Sequence, residues 1–277
     1  MEDPKKAEAR LAQEKRITET LSKIRKVIMV LSGKGGVGKS SIAANIAVGL
    51  AERGKKVGLM DIDLHGPSIP RTLGLTGMRP EIADDKVVPV RYSDNLKVLS
   101  MENFLDTSER AVIWRGPLKL AAIRQFFADV DWGELDYLIV DSPPGTGDEP
   151  LTVAQTLWGT SAIVVTTPQE ISVADVRKSI TFCRTVGLDV IGLIENMSGY
   201  VCPHCNKESE LFGIGGGERL AMEMNVKFLG RIPFDPDFVK STDSGKPFIK
   251  NYPDRAAAKA LLSIIDEIAK MLPTKAG

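Results

Sequence analysis

The sequence has few cysteines, no long apolar run and no excess of charge of either sign. Its 277 residues include three cysteines, too few for a disulfide framework, so we expect a reducing, cytoplasmic environment. No stretch reaches the roughly 18 consecutive apolar residues that cross a bilayer, and the first residues contain no apolar signal core. Basic and acidic residues number 36 each, so no net charge attracts the chain to nucleic acid or to an anionic membrane. We therefore expect a soluble protein with neither as a partner.

A glycine-rich segment follows the first apolar run of the chain. Residues 33 to 40 read Gly-Lys-Gly-Gly-Val-Gly-Lys-Ser, directly after the run 26–31 and before an Ala-rich helical pattern. A strand, a glycine-rich turn and a helix start are the parts of a P-loop, whose backbone N–H groups surround a phosphate. Lys39 is expected to reach the β- and γ-phosphates, and the hydroxyl of Ser40 to bind Mg²⁺. We predict ATP binding through Gly33, Lys34, Gly35, Gly36, Val37, Gly38, Lys39, Ser40 and Ser41.

Apolar runs and helical patterns alternate along the rest of the chain. Strands are predicted over 26–31, 56–60, 96–100, 137–140, 162–166, 190–195 and 227–229, and helices over 39–53, 118–129, 151–157, 173–186, 217–224 and 255–271. This alternation is typical of an α/β fold with a mostly parallel sheet and helices on both faces. We find no repeat and no low-complexity linker. The sequence therefore predicts a single P-loop NTPase domain over 26–277, preceded by a charged helix or arm over 1–25.

Carboxylates stand where two of the predicted strands end. Asp61 and Asp63 follow the second strand, and Asp141 follows the apolar run 137–140. Because ligands of open α/β sheets bind beyond the carboxyl ends of the strands, all three should lie beside the P-loop. We expect Asp61 and Asp141 to hold Mg²⁺, the former through a water, and Asp63 to orient or deprotonate the attacking water. The sequence does not decide which of Asp61 and Asp63 performs which task.

Three further segments are predicted to contact the nucleotide. The loop Ser142–Asp148 contains Gly145, whose amide is expected to approach the γ-phosphate, so that loss of this phosphate releases the loop. His65, which is not assigned to the nucleotide, is interpreted as a hydrogen-bonding residue of the loop after the second strand rather than as a metal ligand. Adenine is expected to contact the side-chain amide of Asn196, with Pro233 and Asp235 on the other side of the base.

A second lysine lies inside the glycine-rich segment. An ordinary P-loop does not require Lys34, which either is solvated or supplies charge to a nucleotide held across a subunit interface, as an arginine finger does. The string Lys34–Lys39 resembles the deviant Walker A motif of the group that contains MinD/ParA, the nitrogenase iron protein and the arsenite ATPase. The resemblance implies a nucleotide-sandwich homodimer in which Lys34 acts in catalysis together with Lys39 and Asp63.

Cys202 and Cys205 form a Cys-x-x-Cys pair in a predicted loop of about residues 196–217. Two thiolates supply half of the ligands that zinc or a [4Fe–4S] cluster requires, and a second subunit would supply the rest most simply. Cys183 lies in a helical pattern and is predicted to be buried. A structural zinc clasp and a redox dithiol remain alternatives, although thioredoxin-like pairs begin a helix and this pair does not.

Four motifs together resemble the Mrp/ApbC family: Gly33–Ser41, Asp61–Pro70, Asp141–Asp148 and Cys202-x-x-Cys205. Trp114–Pro117 and Asn196–Ser198 also look like that family, and the resemblance extends from about residue 26 to the end of the chain. It implies an ATP-dependent carrier that holds a [4Fe–4S] cluster through Cys202 and Cys205 at a homodimer interface. Such a carrier transfers the cluster to apo iron–sulfur proteins and hydrolyses ATP slowly.

Two further expectations concern the ends of the chain. Residues 1–25 contain no cysteine, so an additional N-terminal cluster site is not expected. The alternative function is that of a MinD/ParA-type positioning ATPase with a zinc clasp, whose output is binding to membrane or DNA. That function requires a basic tail or surface, whereas residues 266–277 are mixed in charge.

Overall fold

Strands and helices alternate along the chain in the computed structural model, which describes residues 4–63, 66–84, 86–104, 116–157, 159–202, 205 and 207–274. The strands are β1 (Ile24–Ser32), β2 (Val57–Asp61), β3 (Glu81–Ala83), β4 (Lys86–Val88), β5 (Val90–Ser93), β6 (Leu96–Ser100), β7 (Leu135–Asp141), β8 (Ser161–Thr166), β9 (Asp189–Val201), β10 (Glu208–Ser209) and β11 (Phe228–Phe234). The helices are α1 (Pro4–Leu21), α2 (Lys39–Glu52), α3 (Ile69–Thr72), α4 (Gly116–Ala128), α5 (Asp148–Thr156), α6 (Glu170–Thr185), α7 (Gly216–Glu223), α8 (Pro236–Asp243), α9 (Phe248–Asn251) and α10 (Ala256–Met271). A 3₁₀ turn spans Met101–Phe104.

The central sheet is mostly parallel, as predicted. Its strands follow the order β9, β8, β1, β7, β2, β6, β5, and β11 pairs with β9 in parallel on its other side. β5 runs antiparallel to β6, and β10 runs antiparallel to the last residues of β9. A separate antiparallel pair is formed by β3 and β4. The first strand therefore lies in the middle of the sheet, with β7 and β8 as its neighbours, and its carboxyl end opens into the P-loop.

Helices cover both faces of this sheet because successive residues of a strand point to opposite sides. Ile28 and Val30 of β1 belong to the core that α2 and α10 cover, whereas Met29 and Leu31 belong to the core that α1, α4 and α5 cover. All four side chains are completely buried. Burial of each such side chain contributes about 1.5–3 kcal/mol, which explains why this strand is apolar on both faces.

The N-terminal helix α1 packs on α4. Ile17 and Leu21 are buried in the shared core, and Glu14 accepts a hydrogen bond from Arg124 at 3.3 Å. The remaining side chains described for α1 are half-buried or exposed. None of the helices in the described ranges is long and apolar enough to span a membrane.

Candidate functional site

The P-loop connects the end of β1 to the start of α2. Gly38 precedes α2 with a left-handed φ of 84°, and a Cβ at this position would lie 2.4 Å from the side-chain nitrogen of Asn196. A Cβ at Gly33 would lie 2.6 Å from the backbone carbon of Asp175, so only glycine allows α6 to approach the loop. The N–H groups at the beginning of α2 accordingly face the carboxyl edge of the sheet, where a phosphate can bind.

Lys39 makes a buried ion pair with the carboxylate that ends β7. Its ammonium nitrogen donates to Oδ1 of Asp141 at 2.5 Å and to the hydroxyl of Ser40 at 3.3 Å. Lys39 is 6% exposed and Asp141 is completely buried. Burial raises the pKa of Asp141, and the adjacent lysine opposes that rise. The lysine that is predicted to bind phosphate thus neutralises a buried acid.

Asp61 organises the loop that follows β2. Its Oδ1 accepts the N–H of Asp63 at 3.1 Å. Its Oδ2 accepts the N–H groups of Ser68 at 3.1 Å and Ile69 at 3.2 Å, and the hydroxyl of Ser100 at 3.2 Å. These donors show that Asp61 holds the loop in place, and its contact with Mg²⁺ through a water stays a prediction.

Asp61 and Asp141 are opposite one another in the register of β2 and β7. Burial, followed by the neighbouring charge of Asp141, raises the pKa of Asp61 to about 7. The second oxygen of Asp141 is buried and has no hydrogen-bond partner among the described residues. A free carboxylate oxygen close to the hydroxyl of Ser40 is the hard-oxygen donor set that Mg²⁺ prefers. The residues present therefore fit a magnesium ion.

Asp63 and Lys34 lie at the outer edge of the same site. Asp63 is half-buried and accepts the N–H of Gly66 at 3.2 Å. Its charge contributes to the raised pKa of Asp141, so the two carboxylates lie near one another. Lys34 is also half-buried, and its ammonium forms no ion pair with any residue that the structure describes. His65 and Trp114 lie outside the described residues.

The loop after β7 is tied to the end of β1. The N–H of Ser142 donates to the carbonyl of Val30 at 3.2 Å, and the N–H of Gly145 donates to the carbonyl of Ser32 at 2.9 Å. We predict from the sequence that the Gly145 amide approaches the γ-phosphate. The structure gives this amide a protein partner, and its contact with a phosphate stays a prediction.

A cavity of about 130 Å³ adjoins the P-loop and is lined by the residues predicted to flank adenine. Asn196, Pro233 and Asp235 line it together with Gly38, Ser41, Met197, Phe234, Phe238, Val239, Thr242 and Asp243. The side-chain nitrogen of Asn196 donates to the carbonyl of Val37 at 2.9 Å, so the amide stabilises the P-loop.

Helix α8 forms one wall of this cavity and was not predicted. Asp235 caps it by accepting the N–H of Asp237 at 2.9 Å, and Pro236 occupies its first position. The hydroxyl of Thr242 lies 3.3 Å from that of Ser41 in the P-loop. An Asp-Pro pair is a typical helix start, so this signal was present in the sequence.

The cysteine pair lies at the tip of a β-hairpin. Val201 of β9 pairs with Glu208 of β10, and the N–H of Cys202 donates to the carbonyl of Lys207 at 3.0 Å. Cys202 is half-buried at the end of this ladder, whereas Cys205 lies in the turn and is exposed. Within the part of the chain that the structure describes, no third Cys, His, Asp or Glu side chain completes a metal site here.

Cys183 is buried in α6, as predicted. Its side chain is completely buried in the core beside α4 and α5, and burial raises the pKa of the thiol to about 12. A neutral thiol in an apolar core is a poor metal ligand, because metals bind the thiolate. The hairpin cysteines are therefore the pair available for metal chemistry.

Sequence reasoning missed Glu195, a completely buried carboxylate near the middle of β9. Its oxygens accept the hydroxyl of Ser198 at 2.5 Å and the N–H groups of Gly215 at 2.8 Å and Gly217 at 2.5 Å. It thereby ties the strand that leads to the cysteine hairpin to the N-terminus of α7. The signal was a lone acid inside an apolar strand, which must find donors when it is buried.

The fold and the site define a P-loop NTPase: a glycine-rich turn between a buried strand and a helix, and a lysine paired with the acid of the adjacent strand. A family model described as "ParA: NUBPL iron-transfer P-loop NTPase" matches residues 23–269. The chain belongs to this family.

Relatives with established names agree with this assignment. The chain is 50% identical over 258 residues to the cytosolic Fe-S cluster assembly factor NUBP2 of Bos taurus, covering 91% of this chain and 95% of that one. It is 50% identical over 238 residues to the iron-sulfur cluster carrier protein of Methanocaldococcus jannaschii, covering 86% and 82%. Both alignments span nearly the whole fold described above.

Solved structures support the same fold. A nucleotide-binding protein of Archaeoglobus fulgidus in complex with ADP superposes with a TM-score of 0.75 and 39% identity, covering 88% of this chain and 98% of that one. The septum site-determining protein MinD of Pyrococcus horikoshii, complexed with Mg-ADP, follows at a TM-score of 0.69 and 25% identity, covering 91% and 98%. The higher identity belongs to the first of these.

Proposed function

We propose that the protein is a cytoplasmic ATPase that carries a [4Fe–4S] cluster between two copies of the chain and delivers it to apo iron–sulfur proteins. The observation that carries this proposal is the position of Cys202 and Cys205 at an exposed hairpin tip. A cluster takes four thiolates and each chain offers two there, so two hairpins related by a two-fold axis complete the ligand set. The exposure of the tip suits a cluster that is passed on rather than stored.

The nucleotide chemistry follows from the residues around the P-loop. Lys39 exchanges the carboxylate of Asp141 for the β- and γ-phosphates when ATP binds. Ser40 and Asp141 would hold Mg²⁺, which would supply positive charge against the phosphates. Asp63 orients the attacking water, and Lys34 adds positive charge to the nucleotide of the partner subunit. Asn196, Pro233 and Asp235 flank the base.

The positioning-ATPase alternative is supported by the superposition on MinD. It leaves the cysteine hairpin without a function, and the relatives at 50% identity are named for iron–sulfur clusters. Cluster carriage accounts for both the nucleotide site and the hairpin, and is therefore the function that we propose.

Anaerobic reconstitution with iron and sulfide tests the proposal. We expect about four irons per dimer and a brown chromophore in the wild type, and neither in Cys202→Ala or Cys205→Ala, because a [4Fe–4S] cluster needs all four thiolates. Cys183→Ala is the matched control, because its thiol is buried away from the hairpin and the variant should load normally. ATP binding should persist in all variants. Stoichiometric zinc without iron uptake, or a chromophore in the double variant of the hairpin cysteines, would contradict the proposal.

A further inference from the structure

Two segments of the chain attach the cysteine hairpin to the rest of the fold. The incoming segment is the part of β9 that follows Glu195, and the outgoing segment runs from β10 to the glycine-rich turn Gly213–Gly217. The incoming segment is irregular, because Met197 and Gly199 have left-handed φ values of 57° and 72°, and its pairing with β11 shifts register at the same place. A bulge bends a strand and disturbs its ladder, so the hairpin beyond it needs a further support.

The carboxylate of Glu195 contacts both segments at the base of the hairpin. On the incoming segment, its Oε1 accepts the hydroxyl of Ser198 at 2.5 Å. On the outgoing segment, the same oxygen accepts the N–H of Gly215 at 2.8 Å, and Oε2 accepts the N–H of Gly217 at 2.5 Å. We call Glu195 and these three partners the carboxylate clamp.

The outgoing turn is shaped around this carboxylate. Three consecutive glycines, residues 215–217, start α7, and a Cβ at Gly217 would lie 3.0 Å from Oε2 of Glu195. A Cβ at Gly216 would lie 2.3 Å from the carbonyl oxygen of Pro168. Glycine N–H groups at a helix N-terminus are also what a P-loop offers to a phosphate. Here an internal carboxylate accepts those N–H groups, so the turn serves the hairpin rather than a second nucleotide.

The buried charge of the clamp has a cation beside it. Glu195 is completely buried, and the guanidinium of Arg231 lies 3.9 Å from its Oε1. Arg231 also pairs with Glu218 in the first turn of α7. Three hydrogen-bond donors and a nearby cation satisfy a carboxylate that would otherwise be costly to bury. The clamp is therefore a stable part of the fold, located where the hairpin is attached.

We propose that Glu195 is a positioning residue for the cysteine pair: it holds both segments at the base of the hairpin and so fixes how Cys202 and Cys205 are presented to a metal or cluster. The proposal rests on the proposed function, because it concerns the same cysteine site. A hairpin that is held at both ends loses less conformational freedom when its thiolates bind a metal. Without the clamp, the same two thiolates should bind more weakly.

Anaerobic titration of the iron-free protein with Co²⁺, followed by the absorption of the cobalt–thiolate bonds, tests the clamp. We expect Glu195→Gln to raise the dissociation constant for Co²⁺ about tenfold, in the range that loss of a supporting residue costs a metal site. An amide has one acceptor oxygen where the carboxylate has two, so one glycine N–H of the turn loses its partner. Ser198→Ala, which removes only the bond to the incoming segment, should raise the constant by a smaller factor.

Two matched controls change the same chemical groups outside the clamp. Glu218→Gln removes an acid from the first turn of α7, and Ser179→Ala removes a buried hydroxyl from α6, where it donates to the carbonyl of Asp175 at 3.3 Å. Both should bind Co²⁺ as the wild type does. All variants should also bind ATP normally, which shows that they are folded. If Glu195→Gln does not fold, Ser198→Ala decides the question, because it removes a single hydroxyl.

The outcomes separate this proposal from the proposed function. Unchanged Co²⁺ affinity in the clamp variants, an equal loss in the two controls, or a wild-type absorption that persists in Cys202→Ala would overturn the positioning role, even when four irons load per dimer. If the clamp variants weaken Co²⁺ binding but the wild type takes up no iron and sulfide, the carrier function fails and the positioning role of Glu195 stands.

Discussion

Replacing Lys39 by methionine is expected to destabilise the nucleotide-free protein by about 3–5 kcal/mol, as removal of one partner from a buried ion pair does. The reason lies in the carboxylates that remain. Asp141 is completely buried and would lose its cation, and the equally buried Asp61 lies opposite it. Methionine preserves most of the side-chain volume, so the loss reports the unpaired charge rather than a cavity. Equilibrium urea unfolding measures the free energy of unfolding directly.

Two comparisons make this prediction specific. Adding Asp141→Asn to Lys39→Met should restore at least half of the lost stability, because the uncompensated charge is removed. Lys34→Met, in the same loop, should change the free energy of unfolding by less than about 0.5 kcal/mol, since Lys34 forms no ion pair with a described residue.

The pKa of Asp141 is raised in the folded chain, so protonation on acidification should reduce the loss of stability in Lys39→Met, and alkaline buffer should increase that loss. A Lys39→Met variant as stable as the wild type would refute the reasoning.

Three further predictions concern turnover and thiol reactivity. Lys34→Ala should retain equilibrium ATP binding and lose most hydrolysis, because its charge is proposed to act across the subunit interface; unchanged turnover would argue against a sandwich dimer. Asp63→Asn should keep Mg-ATP bound and lower the hydrolysis rate by about 10²–10⁴, the usual value of a positioned base, and a normal rate would move the role to another acid. A thiol reagent should modify two cysteines per native iron-free chain, Cys202 and Cys205, and reach Cys183 only after denaturation, because burial raises the pKa of that thiol to about 12. Rapid modification of a third thiol in the native protein would show that its core opens readily.

The central sheet could be predicted because its strands are continuous apolar runs that alternate with helices. The length of β9 could not be predicted in the same way. The predicted strand stops near Glu195, where the run becomes polar and contains glycine, yet the observed strand continues to Val201. Its extension is stabilised by pairing with β10, which has only two residues, and with β11, which is predicted from the sequence only over 227–229.

Within the candidate site, motif residues were easier to find than the residues that hold them. Lys39, Ser40 and Asp141 belong to patterns whose chemistry is local and recurrent, and the structure brings them together. The hydrogen bond that the amide of Asn196 donates to the carbonyl of Val37 joins segments far apart in the chain. The hydrogen bond that Glu195 accepts from the N–H of Gly215 likewise joins β9 to the turn before α7. Such contacts depend on tertiary packing, which no spacing in the sequence reports.

The continuous strand β9 has a thermodynamic consequence. It carries Asn196, which contacts the P-loop, and leads six residues later to Cys202 in the hairpin. Suppose that bound nucleotide changes the affinity of the hairpins for the proposed iron–sulfur cluster by some factor. Thermodynamic linkage then requires the cluster to change the affinity for nucleotide by the same factor. Titrating nucleotide into loaded and empty protein would therefore measure the coupling free energy between the two sites without following any transfer reaction.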